Sequence, residues 1–206
     1  MKSSPEFVPE NFEGKPLDIE HSITAADLHE AINTYKRTCA RLQNPGVWQQ
    51  LAGSVGAGFE LFSNTNKPAK RLMKKGDFLR IDIPGPGSAV GGGYDWVEVE
   101  SFEESVAPDA EESFGITLRS SKNPAKPLDG TAHFFKEDAS SSFIIKRNGL
   151  TVTACYYGRN ELPNTNTSSM VDKLRNSLVA TGAIAGLSNL QWHALTKGLL
   201  AAEIGD

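Results

Sequence analysis

Two runs of β-branched and aromatic residues, FIIKR and LTVTACYY, flank the dipeptide Asn148-Gly149. This dipeptide tolerates the two positive φ angles of a tight hairpin turn, so the pattern predicts two antiparallel strands joined by a two-residue loop. A loop at Asn148-Gly149 pairs Ile145 with Val152 and places both of them, with Tyr156, on the core-facing side of the hairpin. The hairpin is the best-defined element of the sequence.

Three further segments alternate apolar and polar residues with the period of two that is typical of half-buried strands: Phe78–Ile83, Tyr94–Phe102 and Ser113–Arg119. A fourth segment, Thr131–Phe135, can pair before the hairpin. No segment between them is long enough for a helical crossover, which favours consecutive antiparallel pairing over a doubly wound parallel sheet. We therefore expect an α+β fold with a mainly antiparallel meander of about five to six strands.

Helical spacing appears on both sides of the predicted sheet. After a polar N-terminal arm (1–22), we expect a single α+β domain (23–206) with an N-terminal helical pair (24–62), the sheet (76–158) and a C-terminal helical pair (169–202). In the first pair, the segment Phe59–Phe62 fits either a helix end or a short strand. In the second pair, Gly186 ends one helix and a capping box at Ser188 begins the next.

Charge is distributed unevenly along this chain of 206 residues, whose net charge is −4. A net negative charge argues against general affinity for nucleic acids. Basic residues nevertheless cluster between Lys67 and Arg80, and acidic residues dominate from Asp82 to Glu112. The basic run is either a solvated face that carries a short helix or a site for an anionic partner, with these candidates: Lys70, Arg71, Lys74 and Lys75.

The sequence predicts no cofactor and no metal site, because its two cysteines and four histidines lack metal-binding spacing. No apolar run is long enough to span a membrane. The start lacks the apolar core of a signal peptide, so we expect a cytoplasmic protein, although removal of a signal peptide would leave the same sequence. The glycine-rich segment 84–93 lacks the lysine and following helix of a phosphate loop, which makes it a long hairpin loop or a flap over a site.

Catalytic and DNA-binding motifs are weak or missing. No GxSxG or SxxK motif is present, so we assign no catalytic residue and lean towards a protein that is not an enzyme; a hydrolase and a DNA-binding protein are the less favoured alternatives. The segment around Gly186 and Ser188 resembles, over about 20 residues, the turn of a helix-turn-helix. Few cationic side chains follow it, whereas a recognition helix needs them to reach phosphates.

The polar residues that follow the second hairpin strand are the first candidates for a binding surface. This exit places an aromatic ring, a guanidinium, an amide and a carboxylate within five positions: Tyr157, Arg159, Asn160 and Glu161. The alternative is that these residues only form the turn before Leu162-Pro163. We add two aromatic residues, Tyr94 and Trp96, as further binding candidates.

Two functions fit these observations. The first and slightly favoured one is a protein-interaction or assembly module, with itself or another protein as partner, that uses exposed aromatic and charged residues, including Trp192, and its opposite-charge segments. The second is binding of a small molecule or lipid in an apolar cavity between the sheet and the C-terminal helices. The order of elements is compatible with the general layout of helix-grip proteins, although no family motif supports that comparison.

Overall fold

The structure is a computed structural model that describes most of the chain. The described residues are 7–53, 57–83, 88, 90–106, 111–126, 128–164 and 183–203, without the side chains of 183–188.

Seven strands and three α-helices make up these residues, and a single 3₁₀ turn (Pro45–Val47) links the first two helices. In chain order the elements are β1 (Leu17–Thr24), α1 (Leu28–Leu42), α2 (Trp48–Ala52), β2 (Gly58–Phe62), β3 (Phe78–Asp82), β4 (Asp95–Val106), β5 (Glu112–Ser120), β6 (Ser140–Asn148), β7 (Thr151–Arg159) and α3 (Ala183–Leu199). The predicted α+β class is confirmed.

All seven strands form one antiparallel sheet in the order β1-β7-β6-β5-β4-β3-β2. From β2 to β7 the strands follow one another as the predicted meander. The sheet is larger than the predicted five to six strands, because β2 extends one edge and β1 pairs with β7 at the other. The expectation of helices throughout 24–62 is wrong at β2, and α2 has only five residues.

The hairpin forms, and its core face is the predicted one: Ile145, Val152 and Tyr156 are all buried. Its register differs from the prediction, since Ile145 lies opposite Ala154 rather than Val152. The reason is the position of the loop, which is Gly149-Leu150 with a positive φ of 55° at Gly149. Glycine thus occupies the first central position of the turn, and a shift by two residues keeps every side chain on its predicted face.

The predicted break between two C-terminal helices is wrong, because α3 continues through Gly186 and Ser188. A glycine inside a helix costs only about 1 kcal/mol relative to alanine, which tertiary contacts can offset. Those contacts include hydrogen bonds to the carbonyl of Leu199 from Thr38 Oγ1 (3.3 Å) and Arg41 Nη1 (3.2 Å). The first helix of the predicted pair runs to about Ala185, and its residues 169–182 lie outside the described residues. The helix break that suggested DNA binding is absent from α3.

Aromatic side chains fill the space between the sheet and the helices in the described part of the chain. Trp48 of α2 and Trp192 of α3 both contact Phe143 of β6, with ring centroids 5.5 and 5.3 Å apart. Tyr156 of β7 stacks on Trp192 at 5.1 Å, and Phe59 of β2 contacts Trp48 at 5.1 Å. We call the sheet face that carries this cluster the inner face.

The opposite, outer face is covered in part by the segment that precedes β1. Val8 packs in a small buried cluster with Ile144 and Cys155. Phe7 lies so close to Gly115 of β5 that a β-carbon at that glycine would be 2.1 Å from the phenyl ring. The N-terminal segment is therefore attached to the sheet from Phe7 onwards.

Candidate functional site

The topology brings polar side chains together at one end of the inner face. Strands β3, β5 and β7 end at this edge of the sheet, where β4, β6 and β1 begin. Ser120 ends β5, Ser141 lies at the start of β6 opposite Gly158 of β7, and all three follow the same alternation as the core residues. We call this region, together with Tyr156 and Glu161, the polar end of the inner face.

A short chain of hydrogen bonds connects three of these side chains. The hydroxyl of Tyr156 donates to Oε1 of Glu161 (2.8 Å) and lies 3.0 Å from Oγ of Ser141, which donates to it. Tyr156 is fully buried, whereas Ser141 and Glu161 are partly exposed. A molecule that reaches this end of the sheet would therefore meet the serine and the carboxylate first.

Glu161 has the most unusual electrostatic environment of the polar end. Burial raises its pKa to about 7, although the hydrogen bond from Tyr156 and the charge of Arg159 act in the opposite direction. At neutral pH this carboxyl exists in both protonation states, a property that occurs more often at functional sites than elsewhere. Among the described residues, its second oxygen, Oε2, has no hydrogen-bond partner.

Gly158 provides the space for this carboxylate. A β-carbon at Gly158 would lie 2.6 Å from Oε1 of Glu161, which is closer than real β-carbon contacts in proteins. The chain turns at Asn160, whose φ of 56° is rare for a residue other than glycine. This left-handed turn directs Glu161 back over β7 and onto the inner face.

Asn160 itself anchors the N-terminal segment. Its side-chain oxygen accepts hydrogen bonds from the backbone of Phe12 (2.9 Å) and Glu13 (3.2 Å), and its amide donates to the carbonyl of Glu10 (3.0 Å). It is 1% exposed. The structure thus gives Asn160 a role in holding the turn that positions Glu161.

Arg159 and Tyr157 lie on the other side of the hairpin exit. Nη1 of Arg159 donates to Oδ1 of Asp18 (2.6 Å) on β1 and to the carbonyl of Gly158 (2.8 Å). The guanidinium lies 5.3 Å from the ring centroid of Tyr157. The contact with Asp18 links β7 to β1. Because Arg159 is only 4% exposed, it leaves little surface for a partner.

A second buried pair lies next to this chain of hydrogen bonds. Oγ of Ser120 is 3.1 Å from Nδ1 of His133, and the backbone amide of Phe135 donates to the same nitrogen at 3.0 Å. Since Nδ1 accepts from a backbone amide, the neutral ring carries its proton on Nε2. Ser120 and Ser141 are diagonal neighbours on paired strands, a spacing of roughly 7–8 Å between residues.

Trp96 does not form the exposed surface expected of it, whereas Tyr94 is partly exposed. Trp96 is 4% exposed, and its indole nitrogen donates to the carbonyl of Gly91 (3.1 Å). The guanidinium of Arg80 lies 4.1 Å from the ring centroid of Tyr94. Trp192 is also buried, so the expectation that these tryptophans are exposed is wrong.

The basic run forms an extended loop in which the predicted short helix is missing. Lys70, Lys74 and Lys75 are exposed, whereas Arg71 makes a two-pronged ion pair with the buried Asp77 (2.6 and 2.8 Å). A groove of about 500 Å³ runs beside this loop. Its lining residues are Asn44, Pro45, Gly46, Phe59, Glu60, Leu61, Ala69, Lys70, Arg71 and Leu72.

Metal ligands and reactive thiols are sparse in the described part of the chain. There, no three or more His, Cys, Asp or Glu side chains are grouped to hold a metal ion, and no helix could span a membrane. Cys39 and Cys155 are both buried and form no disulfide with each other, and they lie on opposite faces of the sheet. Half of the predicted flap at 84–93, namely 84–87 and 89, lies outside the described residues.

No family model matches the sequence, and no curated protein matches it. Several solved structures are similar to this chain. A protein from Arthrobacter aurescens, solved by NMR, is 13% identical with a TM-score of 0.41, over 93% of this chain and 90% of that one. A crystal structure of a Thermus thermophilus protein is 14% identical with a TM-score of 0.42, over 90% and 94%.

Norcoclaurine synthase from Thalictrum flavum, in complex with dopamine and hydroxybenzaldehyde, is 11% identical with a TM-score of 0.35, over 97% of this chain and 99% of that one. At these identities and TM-scores the similarities do not indicate a function.

Of the residues at the polar end, only Glu161 was predicted from the sequence as a site residue. The hairpin pattern assigns Tyr156 to the core face, and no local pattern marks Ser120, Ser141 or His133. The available signal was Gly158, because a glycine inside a strand often marks a close approach of another group.

Proposed function

We propose that the protein binds a small organic molecule at the polar end of the inner face. The bound molecule has an apolar body and a hydrogen-bond donor. The observation that supports this proposal is the state of Glu161. One carboxylate oxygen is held by Tyr156, and the other has no partner among the described residues. The partly exposed side chain can therefore accept a hydrogen bond from a ligand.

The surroundings of Glu161 suit such a ligand. Ligand sites combine apolar walls with a few convergent polar groups, and perturbed pKa values are common in them. Here the polar groups are Glu161, Ser141 and the Ser120–His133 pair, and Leu118 is buried on the same face. Phe143 and Trp192 pack against the ring of Tyr156. The hydroxyl of Tyr156 in turn donates a hydrogen bond to the carboxylate of Glu161.

This proposal replaces the interaction module as the favoured function. That hypothesis relied on exposed aromatic and charged side chains, but Trp96, Arg159 and Trp192 are each buried. An interface residue that is buried in the free protein contributes little contact area. The anionic-partner site at Lys70, Arg71, Lys74 and Lys75 remains a prediction.

The test is a binding measurement with two matched probes, benzyl alcohol and benzyl methyl ether, by ligand-observed NMR at about pH 8, above the raised pKa of Glu161. Both probes have the same aromatic body, but only the alcohol can donate a hydrogen bond to Glu161. A hydrogen bond to a charged group contributes about 1.5–3 kcal/mol, so the alcohol should bind at least about tenfold more tightly than the ether.

Two variants locate the site. Glu161→Gln retains an oxygen for Tyr156 but places an amide where the free acceptor was, so the preference for the alcohol should disappear. Glu98→Gln removes the same charge from an exposed position on β4 and should leave that preference unchanged. Equal binding of both probes to the unmodified protein, or the same preference in Glu161→Gln, would refute the proposal.

A further inference from the structure

His21 of the edge strand β1 and His193 of helix α3 contact each other. Nε2 of His21 lies 3.3 Å from Nδ1 of His193, and the two rings meet edge to face with centroids 5.5 Å apart. His193 is exposed, and His21 is partly exposed.

The distance of 3.3 Å between the two nitrogens fits a hydrogen bond. It also fits the separation of two imidazole nitrogens that bind one metal ion. Zinc–imidazole bonds are about 2.0–2.1 Å long, and in a tetrahedral site two such ligands lie about 3.3–3.4 Å apart. His21 can carry its proton on Nδ1 and His193 on Nε2. The two nitrogens that face each other would then both offer lone pairs, and no proton need be released.

Lys197 lies one helical turn after His193 and lines a groove together with His21. Its ammonium opposes binding of a cation, which predicts a moderate affinity.

The groove leaves room for the remaining ligands of a metal ion. Its volume is about 530 Å³, and its lining includes Ser22, Leu51 and Ala194 beside His21 and Lys197. Two imidazoles with solvent in the other positions suit borderline divalent ions such as zinc, nickel and copper. Hard cations such as calcium and magnesium prefer oxygen ligands.

We propose that His21 and His193 form a two-histidine site for a divalent transition-metal ion, which links β1 to the C-terminal helix. This site lies on β1 and α3, whereas the proposed ligand site uses the exit of β7. The two proposals are therefore independent, and each can be refuted without the other.

The experiment is calorimetric titration of the full chain with Zn²⁺ at about pH 7.5, where imidazoles are mostly neutral. One ion should bind per chain, and His21→Asn or His193→Asn should each weaken binding at least about tenfold. Removal of a group that only orients a metal ligand already costs about 10- to 100-fold. His29→Asn is the matched control, because His29 is exposed on α1 and should leave the affinity unchanged.

A second measurement identifies the ligands directly. The electron paramagnetic resonance spectrum of bound Cu²⁺ should show coupling to two imidazole nitrogens in the unmodified protein and to one in either single variant. Circular dichroism checks that each variant is folded. Failure to bind zinc, affinity that is unchanged in both His21→Asn and His193→Asn, or an equal loss in His29→Asn would overturn the proposal.

Discussion

The raised pKa of Glu161 predicts a specific dependence of stability on pH. Burial moves this pKa from 4.5 to about 7 in the folded protein. Below pH 4.5 the carboxyl is protonated in both the folded and the unfolded state, so its contribution to stability is fully present. Above pH 7 it is ionised in both states, and the folded state bears the cost of a buried charge. The stability contributed by Glu161 is therefore lost as pH rises from about 4.5 to about 7.

The magnitude follows from the same shift. One pKa unit corresponds to about 1.4 kcal/mol, so this carboxyl alone should lower the free energy of unfolding by about 3 kcal/mol across that range. Glu161→Gln mimics the protonated form and still offers an oxygen to Tyr156. The free energy of unfolding of Glu161→Gln should equal that of the unmodified protein near pH 4.5 and should exceed it by about 3 kcal/mol at about pH 8.

Urea unfolding at about pH 4.5, 6 and 8 measures this difference across the predicted range. Other carboxylates also titrate in this range, so the relevant quantity is the unmodified protein minus Glu161→Gln at each pH. Glu98→Gln, at an exposed position, controls for the loss of one negative charge. A difference that stays constant across these pH values, or that grows towards low pH, would refute the assignment of a buried, destabilised carboxylate.

Three further substitutions test the packing around the site. Tyr156→Phe should lower the free energy of unfolding by about 1–3 kcal/mol, because Ser141 and Glu161 each lose a hydrogen bond to the tyrosine hydroxyl. The loss of that hydrogen bond should also raise the pKa of Glu161 further, as measured by carboxyl ¹³C NMR. An unchanged pKa would contradict this. Gly198→Ala should destabilise the protein in thermal unfolding rather than add the usual helical gain, because its β-carbon would lie 2.1 Å from the carbonyl of Leu51; a raised melting temperature would contradict this. Gly115→Ala should displace the N-terminal segment, so limited proteolysis should cut there faster than in the unmodified protein, and equal cleavage would argue against that packing.

The parts of the fold that sequence could predict are those that local signals determine. Alternation of apolar residues and a turn glycine identify β6 and β7, and both their pairing and the core face of Ile145 follow from these signals alone. The register could not be settled locally, because Gly149 can occupy either central position of a two-residue loop. The meander was predictable because no long helix separates the strands.

Other features depend on contacts between residues that are distant in sequence. Trp96 alternates with Val97 as a solvent-facing residue should, yet Phe62 and Ala132 cover it on the outer face. Gly186 is a strong local signal for a helix end, but α3 continues through it. At Gly186 tertiary packing outweighs a local preference of about 1 kcal/mol.

The candidate site was predictable only at Glu161, through the polar cluster at the hairpin exit. Its partners come from β6, from β7 and from the loop that carries His133. Only the strand order and the register bring these residues to one end of the sheet. A carboxylate two residues before a proline in a turn has no local mark that distinguishes it from an ordinary turn residue.

Soaking crystals of the protein with benzyl alcohol tests the central claim most directly. The account predicts electron density for the alcohol at the polar end of the inner face, with its hydroxyl about 3 Å from Oε2 of Glu161. An alcohol bound only in the groove beside His21 or in the groove beside Lys70, with none at Glu161, would contradict it.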